Sequence, residues 1–180
     1  MEDFILKNEI KRLKRRVEVL EKVNSELINE VKKYKYDALT GFKLRIDFND
    51  RMKDLFFSFN NRYTQMHNKE LTTKRLIVVD INRLHYINNK YDYVAGDKYL
   101  TSISKLIVRK YPDGEFFRIG GDEFAVLTNN EAIPDIRNTS SVSLPIHDFN
   151  SLEELMVKAS ELLKKEKREW YMKHKLERRG

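Results

Sequence analysis

Apolar side chains recur at alternating four- and three-residue steps at the start of the chain: Leu6, Ile10, Leu13, Val17, Leu20, then Asn24, Leu27, Val31 and Tyr34. A helix keeps such positions on one narrow stripe. With Ile10, Val17, Asn24 and Val31 at heptad position a, residues Leu13, Leu20, Leu27 and Tyr34 fall at d. β-Branched residues at a with leucine at d favour two parallel strands, and one buried Asn fixes register and oligomer state. The flanking charges agree: Glu9 faces Lys14 of a partner helix, Arg16 faces Glu21, and Glu30 faces Lys35. A single amphipathic helix packed on its own domain is the other reading, but it would carry a wider apolar stripe. A basic leucine zipper fits less well, because Lys11 to Arg16 lies inside the heptads instead of before them. Residues 1–36 are therefore expected to form a coiled-coil dimerisation helix, and residues 37–180 a separate domain.

Beyond the coil the period changes. "DALTG" (Asp37–Gly41) breaks the helix, and a second helix is expected from about Leu44 to Phe59, with Phe48, Met52, Leu55, Phe56 and Phe59 on its apolar side. A polar connection or frayed helix end spans residues 60–74. "RLIVVDI" reads as a strand buried on both faces, ending in an acid at Asp80. "NRLHYINNKYDYVAGD" suggests a short helix and a loop. Residues 98–111 form an amphipathic helix stopped by Pro112 and Gly114. "EFFRI" and "EFAVL" predict a hairpin around Gly120 and Gly121, a pair suited to a two-residue turn at positive φ. "SVSLPI" is a further strand. A last helix opens at Ser151, with Glu154 completing a capping box.

Composition narrows the chemistry. The 180-residue chain has no cysteine, which excludes disulfides, thiolate catalysis and cysteine-based zinc sites. Its histidines (His67, His85, His147, His174) never stand at i,i+4 spacing. The start lacks the apolar core of a signal peptide, and the run Leu76–Val79 is far too short to span a bilayer, so a cytoplasmic protein without membrane contact is expected. The net charge of +7 is concentrated near the two ends; it suits a nucleic-acid partner, a protein handling small phosphorylated molecules or, as the favoured reading, two solvated helix faces. No P-loop, dinucleotide-binding glycine pattern or zinc finger is present, which argues against a nucleic-acid partner.

"RIGGDEFAVL" raises a sharper question: why two adjacent acids, Asp122 and Glu123, follow a glycine turn. If Asp80 lies on a neighbouring strand, the three acids could converge. Clustered carboxylates repel and are costly to bury without a cation. Magnesium suits such a site, since it takes oxygen ligands from one or two carboxylates and from substrate phosphates. Gly120 and Gly121 would leave room for a triphosphate. An ordinary hairpin with exposed acids is the bland alternative.

In these segments the chain resembles the GGDEF family, the diguanylate cyclase domain of bacterial second-messenger signalling. "DALTGFKLRIDF", "DINRLHYINNKYDYVAGDKYL", "RIGGDEFAVL" and "SLEELMVKASELLKKEK" are similar to the family's segments and occur in its order, from Asp37 to about Lys167. The resemblance implies an α+β fold: a palm-like central antiparallel or mixed β-sheet flanked by helices, related to nucleotidyl cyclases. It implies condensation of two GTP into cyclic di-GMP with release of pyrophosphate, across a homodimer that the coil would assemble. It implies Mg2+ (or Mn2+) held by Asp80, the Ile81 carbonyl, Asp122 and Glu123, with Asp122 and Glu123 catalytic. Asn88 and Asp97 would read guanine, Gly120 and Gly121 would lie against the triphosphate, and Lys167 would contact phosphate.

Several positions depart from the family pattern. His85 replaces a phosphate-contacting lysine, Tyr171 an arginine, Trp170 a glycine, Asn82 the second acid of D-I-D, Asp92 and Tyr93 a Gly-His, and Leu44 an asparagine. The stretch between Phe124 and Ser143 is too short for the family's usual helix. Tyr111 and Gly114 occupy the Arg and Asp positions of the product-inhibition motif, so no such feedback site is expected. The readings left open are an active cyclase, a degenerate domain that binds GTP or a protein partner without turnover, a related cyclase with another guanine product, and a nonenzymatic coiled-coil adaptor.

Overall fold

The computed structural model describes residues 2–60 and 73–174. Two units divide the chain, Met1–Tyr36 and Asp37–Gly180. The first is helix α1 (Glu2–Lys35). Its described heptad side chains are open to solvent, from Ile10 at 45% to Leu20 at 62% among the apolar ones. The side chain of Tyr34 and most of the polar connection after Asn60 lie outside the described residues, as does the side chain of Phe59.

The second unit begins with a tight turn. The Thr40 amide and hydroxyl both donate to Asp37 Oδ1, at 2.8 and 2.6 Å. The Gly41 amide donates to the Asp37 carbonyl at 2.8 Å. Gly41 has φ +73°, the left-handed conformation glycine adopts without strain. β1 (Lys43–Leu44) and α2 (Arg45–Asn60) follow. β2 (Arg75–Ile81) is the expected buried strand. Next come α3 (Leu84–Lys90), α4 (Tyr93–Lys110), β3 (Glu115–Arg118), β4 (Glu123–Thr128), β5 (Thr139–Pro145), a 3₁₀ turn at Ile146–Asp148, and α5 (Leu152–Lys173).

The five strands form one mixed sheet in the order β1-β3-β4-β2-β5. β1 runs parallel to β3, and the remaining pairs are antiparallel. Helices cover both faces. On one face, Phe48, Met52, Leu55 and Phe56 of α2 and Leu155, Ala159 and Leu163 of α5 pack on Leu76, Val78, Ala125 and Leu127. On the other, Leu100, Ile103 and Ile107 of α4 pack on Ile77, Val79, Phe124 and Val126. The two-residue alternation of strand side chains thus sorts each aliphatic run between two cores.

Four local expectations are corrected. Helix α4 starts at Tyr93 instead of near Lys98, because the Asp92 carboxylate accepts from the Ala95 amide at 2.6 Å and caps a turn that looked like loop. Gly120 and Gly121 do not occupy the left-handed region, and the hairpin closes through Ile119 and Gly120 amides donating to the Glu123 carbonyl, at 2.9 and 3.2 Å. The connection is therefore longer than a two-residue positive-φ turn. At α5 the Ser151 hydroxyl accepts from the Glu154 amide, but Glu154 reaches back to the Asn150 amide, so the reciprocal half of the box is shifted by one residue. β5 starts at Thr139, earlier than the aliphatic pattern indicated. Between β4 and β5, residues 129–138 contain no helix, as their small number foretold.

Candidate active site

Strand parity sets the site. Along β2, Leu76 and Val78 face α2 and α5, and Asp80 continues that series. Along β4, Ala125 and Leu127 face the same way, and Glu123 precedes them by the same period. Asp80 and Glu123 are direct partners across the β2–β4 ladder. Both line a cleft of about 430 Å³ whose other wall is one face of α5: Ser160, Leu163, Lys164, Lys167 and Tyr171. Asp122 stands beside this cleft, close enough for its charge to act on Asp80, and its carbonyl accepts from the Ile81 amide at 2.9 Å, which ties the strand end of β2 to the motif loop.

Asp80 is almost completely buried, at 3% exposure. Burial pushes its carboxyl up to about 6, reinforced by the charges of Asp122 and Glu123 and opposed by Lys167. The Lys167 ammonium donates to Asp80 Oδ2 at 2.6 Å. It lies equally near Oδ1, yet that buried oxygen has no aligned donor. Lys167 was expected on a phosphate; in this structure it neutralises the acid.

The glycines have separate duties. A Cβ on Gly120 would stand 2.7 Å from Glu123 Oε2 and 3.1 Å from its Cβ, so only glycine leaves the Glu123 side chain where it is. A Cβ on Gly121 would meet nothing within 4 Å. The loop is held from behind by Arg118, which donates to Asp37 Oδ2 at 2.9 Å and to the Gly121 carbonyl at 2.7 Å. Burial pulls the Asp37 carboxyl upward, but its bonds from Thr40 and the Arg118 charge outweigh that and hold it below the ordinary value.

Asn88 on α3 meets α4 at Gly96, Asp97 is the next residue of α4, and neither lines the Asp80 cleft. Asn88 Oδ1 is buried without a hydrogen-bond partner among the described residues and packs directly over Gly96, where a side chain would collide with it. Asp97 is exposed. His85 is also exposed, and its Nε2 lies 2.9 Å from Nδ2 of Asn89.

The departures from the family pattern have structural occupations. Asn82 is buried and exchanges hydrogen bonds with the Ser140 hydroxyl of β5, at 3.0 and 3.2 Å. Trp170 stacks on His174 at 4.3 Å between ring centroids. Tyr111 is fully buried, and its hydroxyl donates to the Ala132 carbonyl at 2.6 Å, anchoring the short β4–β5 loop. Burial raises this phenol to about 12. Gly114 leaves room for Val126 and the Phe116 ring, both about 3.0 Å from a Cβ placed there. Sequence reasoning did not single out Lys164, Ser160 or Gly96. The spacing of residues 160, 164, 167 and 171 on an expected helix was the available signal for the first two.

Among the described residues, no three acids or histidines stand ready as a metal cage. The donor set at hand is two carboxylates on one cleft, one of them almost completely buried. That set suits a hard cation that completes its shell with substrate phosphates and water. It does not suit an all-protein site.

The family model for the diguanylate cyclase GGDEF domain matches residues 34–147. An uncharacterized membrane protein of Staphylococcus aureus (strain USA300) is 29% identical over 100 residues, covering 55% of this chain and 26% of the relative. The chain thus spans about a quarter of the length of the curated relatives it matches. No described helix is long and apolar enough to cross a membrane. Among solved structures, the coiled coil and GGDEF domain of DgcB from Caulobacter crescentus, in complex with c-di-GMP, aligns with a TM-score of 0.62 at 19% identity, covering 87% of this chain and 93% of that one. Diguanylate cyclase SiaD from Pseudomonas aeruginosa, in complex with its activator SiaC, aligns with a TM-score of 0.58 at 15% identity, covering 93% and 74%. At these identities the structural likeness establishes the fold.

Proposed function

We propose that this chain, which belongs to the GGDEF diguanylate cyclase domain family, condenses two GTP into cyclic di-GMP with release of pyrophosphate, as a coiled-coil homodimer. The observation that carries this reading is the Asp80–Glu123 pair, opposed across neighbouring strands and facing a cleft walled by lysines. Acids and cations on opposite walls are what a nucleotide triphosphate with its counter-ion requires.

Asn88 and Asp97 are the guanine readers in this reading: a carboxylate can accept from the N1 and N2 donors of guanine, and an amide can both donate and accept. The buried, unpartnered Asn88 Oδ1 supports a polar ligand there. Glu123 is the acid that activates the 3′-hydroxyl, and Gly120 keeps it in place. A magnesium or manganese ion held by Asp80, Asp122, Glu123 and the Ile81 carbonyl would neutralise charge developing on the transferred phosphoryl group. Lys167 leaves Asp80 for the phosphates when the nucleotide enters. The exposed heptad stripe of α1 is the surface that pairs two chains, so that two half-sites can face each other. A GTP-consuming domain works where GTP is made, so the reading places this domain in the cytoplasm.

The second reading, a domain that binds GTP without turnover, is favoured by Tyr171 in the cleft and by His85 turned toward Asn89. Incubation of the full chain with GTP and Mg2+, with products resolved by chromatography and mass, separates the two. Cyclic di-GMP from the parent and none from Asp122→Ala or Glu123→Ala is the expected result. GTP binding without product would establish the second reading, and a different guanine product would change the reaction assigned.

A further inference from the structure

Two positions where the family pattern carries a phosphate-contacting cation hold uncharged or weakly basic side chains here, His85 and Tyr171. The face of α5 that walls the Asp80–Glu123 cleft offers a replacement. Ser160, Lys164, Lys167 and Tyr171 follow one another at four- and three-residue steps, so they form a single row along the helix. Two of the four are lysines. Lys167 is committed to Asp80 at 2.6 Å. Lys164 is exposed, lines the same cleft, and makes no hydrogen bond or ion pair with any described residue. Neighbouring lysines on α5 differ in this respect: Lys158 faces Glu161 at 3.5 Å and Lys165 faces Glu169 at 4.0 Å.

An uncommitted ammonium on a flexible stem is an anion-binding group, while the acids of the opposite wall suit the counter-ion of a triphosphate. Its distance along the helix from Lys167 is one turn, which matches the spread of successive phosphate groups. We infer that Lys164 binds the polyphosphate of the nucleotide and supplies the cationic contact that His85 and Tyr171 do not. The consequence is a division of labour along α5: Lys167 balances the buried acid until substrate arrives, and Lys164 provides the positive charge first met by an incoming triphosphate. This inference rests on the nucleotide reading above.

The test is equilibrium binding of a nonhydrolysable GTP analogue and of GMP to the full chain in Mg2+, by calorimetry, for the parent, Lys164→Gln, Lys164→Arg and Lys165→Gln. Lys164→Gln is expected to weaken the triphosphate analogue about tenfold or more, the loss of one charge-assisted contact, while changing GMP affinity far less. Lys164→Arg should retain most of the affinity, and Lys165→Gln should match the parent. The salt dependence of analogue binding should also become shallower in Lys164→Gln. Analogue binding to Lys164→Gln as tight as to the parent would overturn the role of Lys164 and leave the nucleotide reading intact. A parent that binds neither analogue nor GMP would overturn both.

Discussion

The ammonium of Lys167 lies 2.6 Å from the carboxylate of Asp80, linking the last helix of the chain to the end of the central strand. The carboxylate is nearly sealed from water, at 4% exposure, and the lysine is partly open, at 26%. The pair therefore matters mainly through what its loss leaves behind. Replacing Lys167 with methionine strands a buried acid, and should lower stability by about 1–3 kcal/mol in urea denaturation. Millimolar Mg2+ should restore part of that loss if a divalent cation can take the ammonium's place. Unchanged stability in Lys167→Met would show that Asp80 is hydrated in solution.

Arg118 joins the turn at Asp37 to the carbonyl of Gly121, and so braces the motif loop against the start of the domain. Asp37→Asn should cost about 1–2 kcal/mol at neutral pH. The folded carboxyl releases its proton more readily than the unfolded one, whose ordinary value is 3.8. The stabilisation is thus present above that value and is lost as pH falls through the depressed folded value. Denaturation midpoints of parent and variant should differ at pH 7 and pH 5, and the gap should shrink as the pH falls below 3.8. A gap that persists in acid would assign the effect to shape and not to charge.

Gly120 and Gly121 are adjacent and share a motif, but only Gly120 is pressed against another side chain. Gly120→Ala must displace the Glu123 carboxylate, and should lower cyclic di-GMP production at least about tenfold at little cost in stability. Gly121→Ala points into open space, and its stability should stay within about 0.5 kcal/mol of the parent. Equal activity in Gly120→Ala and parent would remove Glu123 from the reaction.

Gly96 lies under the amide of Asn88, and a Cβ there would stand 2.9 Å from Asn88 Cγ and closer still to Oδ1. Alanine in a helix is otherwise favoured over glycine by about 1 kcal/mol. Gly96→Ala should therefore keep the fold and lose guanine discrimination. Competition binding should show weakened GTP and little change for ATP. Retained preference for GTP would move the guanine site elsewhere.

Asn24 stands at an a position of α1 among exposed Val17, Leu20, Leu27 and Val31. In a parallel pair, Val23 of one chain would meet Ile28 of the other, an apolar contact beside the polar one. Asn24→Leu should raise coil stability but give mixed oligomers, read by light scattering across a concentration series. A single dimeric species in both parent and variant would show that register is set by the charge pairs instead. A monomeric parent at all concentrations would remove the coiled-coil dimer.

The periodicities in the sequence determined most of the secondary structure, because local spacing dictates which face of an element can be buried. The 4–3 stripe gave α1, and the aliphatic run gave β2 with Asp80 at its end. The ordered motif segments also marked Asp80, Asn88, Asp97, Asp122 and Glu123 as candidates. Tertiary structure decided what those side chains meet. Lys167 lies far from Asp80 along the chain, and only the packing of α5 on the sheet brings the two together. The same packing puts Lys164 on the cleft. Gly120 looked like a turn glycine and Gly96 fell in an expected loop, yet their reasons are side chains three and eight residues away that approach through the fold. Hydrophobic spacing is a local signal and can be read along the chain. Charge pairing and close approach depend on distances that exist only after the elements have packed.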